Sequence, residues 1–230
     1  MMNPQPTLAV IFDLDGTLID SAPDIAAAVN SYLIDAGFEA QATDFVTQFI
    51  GYGPRKLLQD IFEQIGHPVD EDSLSLAHRA YLEAYNRCPA ARTRFFPHVR
   101  EDLRALAQSG LRLGICTNKP HKLAGRVLEE LELSDLFDAT IGADAVPSCK
   151  PDPGHLLAVA QKMSLPVGSW VYVGDTTVDQ ITARSANVPF YAVPWGEGTE
   201  LDVAEEYRLT RLSDLLALDI PTRGRCQLEH

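Results

Sequence analysis

The sequence has 230 residues, of which 46% are hydrophobic and 22% charged, a composition typical of a globular protein and not of a disordered chain. The 32 acidic and 19 basic residues give a formal net charge of −13, which disfavours nucleic acid and anionic membranes as partners because both are negatively charged. The length suffices for one large domain or for one domain that carries an insertion.

The cysteines and the chain ends favour a cytoplasmic protein. The cysteines at positions 88, 116, 149 and 226 form no Cys-x-x-Cys pair and no metal-ligand spacing, as expected in a reducing compartment. Residues 1–7 lack a basic segment followed by a long apolar run, so we expect no signal peptide, and no window approaches the length of a membrane span. Residues 228–230 resemble the remnant of a cloning linker and histidine tag and are set aside.

The first predicted element is a strand over residues 8–12, an apolar run of the kind that is buried on both faces in parallel sheets. Asp13 and Asp15 follow it, at the end of the strand where open α/β sheets bind ligands. Two close, buried carboxylates need a proton or a cation, and Mg²⁺ suits such oxygen ligands best. The alternative is a solvated Asp-Gly turn. An EF-hand calcium loop is excluded, because Thr17 and Leu18 occupy its fifth and sixth positions.

The segment after residue 21 contains only helical patterns, three of which are ended by glycine or proline. The predicted helices cover residues 23–36, 43–49, 54–65 and 71–86. A helical block directly after the first strand predicts a cap over the carboxyl end of that strand. We therefore expect an all-helical cap over residues 22–96 and a discontinuous core formed by residues 1–21 and 97–227.

From residue 96 onward, helices alternate with strands. Helices are predicted over residues 99–108, 121–131, 153–163 and 178–186, with a last leucine-rich helix over 212–218. Strands are predicted over residues 111–116, 137–141, 170–173 and 190–193. This alternation predicts right-handed βαβ units and a doubly wound, Rossmann-like parallel sheet of the α/β class.

Polar residues follow the strands predicted at 111–116 and 137–141. Thr117 and Asn118 precede a proline that begins a helix, and a helix start beside a Thr hydroxyl binds a phosphate oxygen well. The alternative is an ordinary helix cap. Lys150 follows the second strand and its loop, where its ammonium could bind phosphate and offset the carboxylates. A surface lysine beside a helix-starting proline is the alternative.

Two acids follow the strand predicted at 170–173. Asp175 lies at the end of the strand, and Asp179 lies four residues later on the same side of the first helical turn. Asp175 could complete the Mg²⁺ ligands, and Asp179 could orient Lys150 or Asp175. The alternative, acids that stabilise a helix dipole, explains Asp179 better than Asp175. Independent surface turns would not place polar clusters at the ends of successive strands, so we expect these clusters to converge on one rim of the sheet.

In this order, the motifs resemble those of phosphatases of the haloacid dehalogenase superfamily. The matching stretches are residues 13–18, Thr117-Asn118, Lys150-Pro151 and Gly174-Asp175 with Asp179. The resemblance implies that Asp13 is a nucleophile and Asp15 a general acid and base. It also implies that Mg²⁺ is bound by Asp13, the Asp15 backbone carbonyl and Asp175, and that phosphate is bound by Thr117, Asn118 and Lys150.

The helical insertion resembles a type 1 cap of that superfamily, and three segments resemble its phosphoglycolate phosphatase branch. They are residues 51–55, 118–120 and 150–153. Thr176 stands where that branch commonly has serine. We expect a small phosphorylated substrate, with 2-phosphoglycolate favoured and nucleotides, sugar phosphates and pyrophosphate as alternatives. Arg55 is our hypothesis for the group that reads the distal end of the substrate; its alternative is a solvent-facing arginine.

Other functions share parts of this pattern. A 2-haloacid dehalogenase needs no metal, and Asp15, Gly16 and Asp175 argue against it. A phosphomutase similar to β-phosphoglucomutase has the same motifs and cap and stays open. A response-regulator receiver is about half this length and lacks a cap, and a purely binding role leaves the polar clusters unexplained. The sequence leaves monomer and homodimer equally open.

Overall fold

The fold is described for residues 9–217 from a computed structural model. The strands are β1 (Ala9–Phe12), β2 (Ile19–Asp20), β3 (Arg94–Phe95), β4 (Arg112–Thr117), β5 (Ala139–Gly142), β6 (Trp170–Gly174) and β7 (Phe190–Ala192). The α-helices are α1 (Ala22–Asp35), α2 (Thr43–Thr47), α3 (Pro54–Ile65), α4 (Glu71–Arg87), α5 (Val99–Gln108), α6 (His121–Glu130), α7 (Pro153–Lys162) and α8 (Thr177–Ser185). This range excludes residue 8, Cys226 and the tag-like residues 228–230.

Five parallel strands form the central sheet in the order β5-β4-β1-β6-β7. β1 lies in the middle and pairs with β4 and β6. Val10 and Phe12 pack into one apolar layer, while Ala9 and Ile11 pack into the layer on the opposite face. This two-sided burial explains the continuous apolar run of β1, and it confirms the predicted doubly wound α/β fold.

The helices α1 to α4 lie between β2 and β3, within the predicted cap. α4 packs against both α1 and α3. β2 and β3 form a short antiparallel ribbon where the chain leaves the core and returns to it. Buried Asp24 in the first turn of α1 accepts hydrogen bonds from the backbone N–H groups of Arg92 (3.0 Å) and Thr93 (2.8 Å), which ties the returning chain to the start of the helices.

Three elements differ from the prediction in type or by more than one residue, and one of them is β5, which begins at Ala139 instead of residue 137. The segment predicted as a helix over 212–218 is a 3₁₀ helix over Leu212–Ala217, and residue 218 lies outside the described range. Leu212 and Leu215 are both buried there, and a three-residue repeat keeps both on the core side in a 3₁₀ turn as well as in an α-helix. α2 ends at Thr47, two residues before the predicted end at 49. Between residues 9 and 217, no helix combines the length and apolar composition needed to cross a membrane.

Candidate active site

The carboxyl ends of β1, β4 and β6 bring the predicted site residues to one rim of the sheet. Asp13 directly follows β1, and its backbone N–H donates to the Val173 carbonyl of β6 at 2.9 Å. Thr117 is the last residue of β4 and Asp175 directly follows β6. All three polar side chains are buried. The expected convergence therefore occurs, because the three strands are parallel and adjacent.

A buried lysine lies between two of the carboxylates. The Lys150 ammonium is 2.8 Å from Asp13 Oδ1 and 2.7 Å from Asp179 Oδ1, and it donates to the Tyr172 hydroxyl at 3.0 Å. Burial acts to lower the pKa of Lys150, but the charges of Asp13 and Asp179 outweigh it and raise that pKa above its usual value. Lys150 is therefore held as a cation at the centre of the site.

Both carboxylate oxygens of Asp179 accept hydrogen bonds from neighbouring side chains. Its carboxylate accepts hydrogen bonds from Lys150, from the Tyr172 hydroxyl (2.7 Å) and from the Thr176 hydroxyl (2.7 Å). These donors hold the pKa of Asp179 below its usual value despite burial. The sequence suggested that Asp179 orients Lys150 or Asp175, and the contact in the structure is with Lys150.

Asp13 and Asp175 carry negative charge that one lysine does not balance. Oxygens of Asp13, Asp175 and Asp179 lie within 4.8 Å of one another. Burial raises the pKa of Asp13 to about 7, and burial with the charges of Asp179 and Asp13 raises that of Asp175 well above its usual value. Among the described residues, Asp13 Oδ1 has no hydrogen-bond partner, since its contact with Lys150 has the distance but not the angles of one. A cation among these oxygens fits this excess of buried negative charge.

Two glycines make this close packing possible. Gly16 has φ +88°, and a Cβ there would lie 2.2 Å from Asp175 Oδ2. At Gly174 a Cβ would lie 2.5 Å from the Asp179 Cβ. Larger residues would therefore push the carboxylates apart, which explains why each aspartate motif contains glycine at that place.

Asp15 lies at the edge of the site and is held by groups that the motif analysis did not assign. The ammonium of Lys119 is 2.9 Å from each Asp15 carboxylate oxygen, and the Ser21 hydroxyl donates to Oδ1. Lys119 also contacts the hydroxyl of Tyr85 from α4 at 3.0 Å. The sequence signal was limited to a charged residue two positions after Thr117.

Asn118 joins the cap to the core. Its side-chain amide donates to the Gly51 carbonyl at 2.8 Å and to the Lys150 carbonyl at 3.0 Å. Both amide N–H groups are therefore engaged, and a phosphate contact from Asn118 would have to come from its backbone N–H. Thr117 Oγ1 accepts the backbone N–H of Lys119 at 3.2 Å, which leaves its hydroxyl hydrogen able to donate.

A cleft of about 420 Å³, part of it open to solvent, lies between the cap and this rim. Its lining residues are Asp15, Ile25, Ile50, Gly51, Gly53, Pro54, Leu57, Tyr81, Thr117, Asn118, Lys119 and Pro120. Arg55, the predicted reader of the substrate, is not among them. Its guanidinium pairs with Glu71 on the exposed surface of the cap at 2.5 Å. The basic side chain that lines the cleft is instead Lys119.

His155 supports the loop that carries Lys150, and it is neutral. Its Nδ1 accepts the Lys150 backbone N–H (3.3 Å), so its Nε2–H donates to the Ile141 carbonyl (3.1 Å). Burial, helped by the charge of Lys150, lowers the pKa of His155 from 6.5 to about 4. The unfolded chain therefore binds a proton below pH 6.5 that the folded chain excludes. Stability from this group is complete above pH 6.5 and is lost as the pH falls toward 4.

We expect His155 to make the protein about 1.5 kcal/mol less stable at pH 5 than at pH 6.5. Urea unfolding of wild type and His155→Gln at both pH values measures this contribution as the difference between their changes in stability. His155→Gln should start from a lower stability at pH 6.5 and lose less of it on acidification. Equal losses in the two proteins would show that His155 does not have a lowered pKa.

Comparison with known proteins gives a consistent result. Residues 10–193 match the family of haloacid dehalogenase-like hydrolases. A phosphoglycolate phosphatase of Cereibacter sphaeroides is 39% identical over 181 residues, which cover 79% of this chain and 82% of that protein. One of Nitrosospira multiformis is 36% identical over 203 residues, covering 88% of this chain and 89% of that protein.

A solved structure agrees with this match along almost the whole chain. The crystal structure of a predicted phosphoglycolate phosphatase from Haemophilus somnus superposes with a TM-score of 0.82 and 27% identity, covering 94% of this chain and 99% of that one. The fold, the order of the motifs and the sequence identity thus lead to the same assignment. The chain belongs to the haloacid dehalogenase-like hydrolase family and resembles its phosphoglycolate phosphatases.

Proposed function

We propose that this phosphatase hydrolyses a small phosphomonoester with Mg²⁺ through an aspartyl-phosphate on Asp13, and that 2-phosphoglycolate is its preferred substrate. One observation carries the proposal: Asp13 and Lys150 lie side by side, buried, at the end of the central strand and beneath a helical cap. The relatives named phosphoglycolate phosphatases support the choice of substrate. The net charge of −13 and the cysteine usage support a cytoplasmic enzyme that acts without nucleic acid or membrane. Our proposal includes both a monomer and a homodimer.

The residues present suit the metal that the family uses. Asp13 and Asp175 offer carboxylate oxygens with excess negative charge, and the Asp15 backbone carbonyl is the third protein ligand in our proposal. When bound, Mg²⁺ supplies positive charge to the phosphoryl oxygens. Asp179 stays out of the metal ligands because its oxygens accept hydrogen bonds from Lys150, Tyr172 and Thr176.

The chemistry of the chain itself follows from these positions. Lys150 and the Thr117 hydroxyl hold the phosphoryl oxygens, which lets the anionic Asp13 approach phosphorus. The bond from phosphorus to the ester oxygen breaks as the bond to Asp13 forms, and Asp15 gives its proton to the leaving alcohol. Asp15 then takes a proton from the water that hydrolyses the aspartyl-phosphate. The cap excludes bulk water from both steps and limits the size of the substrate.

Phosphate release from a panel of compounds tests the proposal. The panel contains 2-phosphoglycolate, a nucleoside monophosphate, a sugar phosphate and pyrophosphate, each assayed with Mg²⁺ and with EDTA. We expect release to be fastest on 2-phosphoglycolate and to stop with EDTA, because Asp13 and Asp175 would then repel the phosphate dianion. Preference for another ester would remove the substrate assignment and keep the chemistry. Full activity in EDTA would contradict the role of the metal, and conversion of one sugar phosphate into another would indicate a phosphomutase.

A further inference from the structure

Lys119 is a buried cation whose ammonium contacts three oxygen atoms. It is 5% exposed, and its ammonium contacts Asp15 Oδ1 and Oδ2 at 2.9 Å each and the Tyr85 hydroxyl at 3.0 Å. It also lies 4.6 Å from the centre of the Tyr85 ring. The three contacts place both Asp15 oxygens and one hydroxyl around the ammonium.

Each of the two buried lysines contacts different aspartates of the site. Lys150 contacts Asp13 and Asp179, whereas Lys119 contacts Asp15. The Asp15 side chain is 13% exposed and faces the cleft, with Ser21 donating to one of its oxygens. The orientation of the Asp15 carboxylate is therefore fixed from two sides, by Ser21 before the cap and by Lys119 after it.

Tyr85 connects this arrangement to the cap. It belongs to α4, is 1% exposed, and packs edge-to-face against Tyr81, which lines the cleft. A movement of α4 away from the core would remove the hydroxyl from Lys119 and leave that ammonium one partner short. The cap thus contributes a group to the chain of contacts that ends at Asp15.

We propose that Lys119 is a positioning residue: it holds the Asp15 carboxyl in the orientation for proton transfer, and Tyr85 makes that orientation depend on the closed cap. This inference rests on the proposed function, because it assumes that Asp15 protonates the ester oxygen. In that step the phosphorus–oxygen ester bond breaks, the bond from phosphorus to Asp13 forms, and protonated Asp15 gives its proton to the departing oxygen. The products are the alcohol and the Asp15 carboxylate, which is the form that Lys119 and Ser21 contact. Lys119 itself exchanges no proton and does not contact the phosphoryl group.

The dependence of the rate on the leaving group distinguishes a positioning role of Lys119 from other roles. An alkoxide leaves phosphate poorly and needs the proton, whereas p-nitrophenolate leaves readily without one. Three substrates are compared: 2-phosphoglycolate, ethyl phosphate as an alkyl ester without a carboxylate, and p-nitrophenyl phosphate. The proteins are wild type, Lys119→Met, Tyr85→Phe and the control Lys122→Met, which changes an exposed lysine on α6. Melting temperatures confirm that each variant is folded.

We expect Lys119→Met to lower kcat/KM about 10²-fold on both alkyl esters and less than about 5-fold on p-nitrophenyl phosphate, with the decrease in kcat and not in affinity. Tyr85→Phe should lower the ratio of kcat/KM on the alkyl esters to kcat/KM on p-nitrophenyl phosphate by about 5-fold, as for one lost hydrogen bond. Lys119→Met lowers the same ratio. Lys122→Met should match wild type on all three substrates. Because Tyr85→Phe keeps the ring in place, it tests the inference even where Lys119→Met does not fold.

Two results would overturn this inference and leave the proposed function standing. A loss confined to 2-phosphoglycolate and expressed in KM would make Lys119 a reader of the substrate carboxylate. Equal losses on all three substrates in both variants would make the contact structural. If wild type released phosphate from none of the substrates, the proposed function would fail, and this inference with it.

Discussion

Asp13→Asn is expected to lower kcat by about 10⁴-fold or more while the protein remains folded. The amide has the shape of the carboxylate but is a far weaker nucleophile. It also removes one of the buried carboxylates that surround Lys150, so the free energy of unfolding should stay the same or rise. Phosphate release from 2-phosphoglycolate and a melting curve measure the two effects on the same sample.

A matched control separates the loss of the nucleophile from the loss of a negative charge. Asp35→Asn makes the same chemical change at an exposed position at the end of α1 and should behave as wild type in both measurements. A folded Asp13→Asn protein with near wild-type kcat would show that Asp13 does not attack phosphorus.

Lys150→Met should both abolish turnover and destabilise the fold. The substitution keeps much of the side-chain volume but removes the ammonium that contacts Asp13 and Asp179, which leaves these two carboxylates buried without that cation. Removing one partner of a buried ion pair costs about 3–5 kcal/mol. Urea unfolding in EDTA measures this cost, and EDTA is needed because a bound cation would replace part of the missing charge.

The double variant Lys150→Met/Asp179→Asn tests the cause of that loss. If an uncompensated carboxylate is responsible, the double variant should be more stable than Lys150→Met alone, because the amide that replaces the Asp179 carboxylate carries no charge to bury. Lys162→Met, at an exposed position at the end of α7, should stay within about 0.5 kcal/mol of wild type. A Lys150→Met protein as stable as wild type would show that Lys150 does not compensate the buried carboxylates.

The sequence predicted those parts of the fold that depend on residues close together in the chain. The apolar run of β1 and the alternation of helices and strands after residue 96 led to the parallel sheet, and the structure confirms it. Asp13, Thr117 and Asp175 could be placed on one rim without coordinates, because each directly follows or ends a strand of a parallel sheet. Their proximity is thus a consequence of topology.

Other features depend on contacts between distant segments, which a local sequence pattern does not predict. Arg55 has the charge expected of a substrate reader, but its partner is Glu71 on the surface of the cap. The sequence predicts no contact for Lys119, which is recognised only as part of the 118–120 segment. Its contact with Tyr85 forms only when the cap and the core are packed together. The ribbon of β2 and β3 was missed because two-residue strands have no periodicity to detect.

The central claim is that the phosphoryl group passes through Asp13, and trapping that intermediate tests it most directly. The enzyme is mixed with 2-phosphoglycolate and Mg²⁺, quenched in acid within the first turnovers, digested, and analysed by mass spectrometry. We predict one added phosphoryl group on the peptide that contains Asp13, located to that residue by fragmentation and absent from the Asp13→Asn protein. A phosphoryl group on another residue, or rapid turnover with none trapped under any quench condition, would contradict the account.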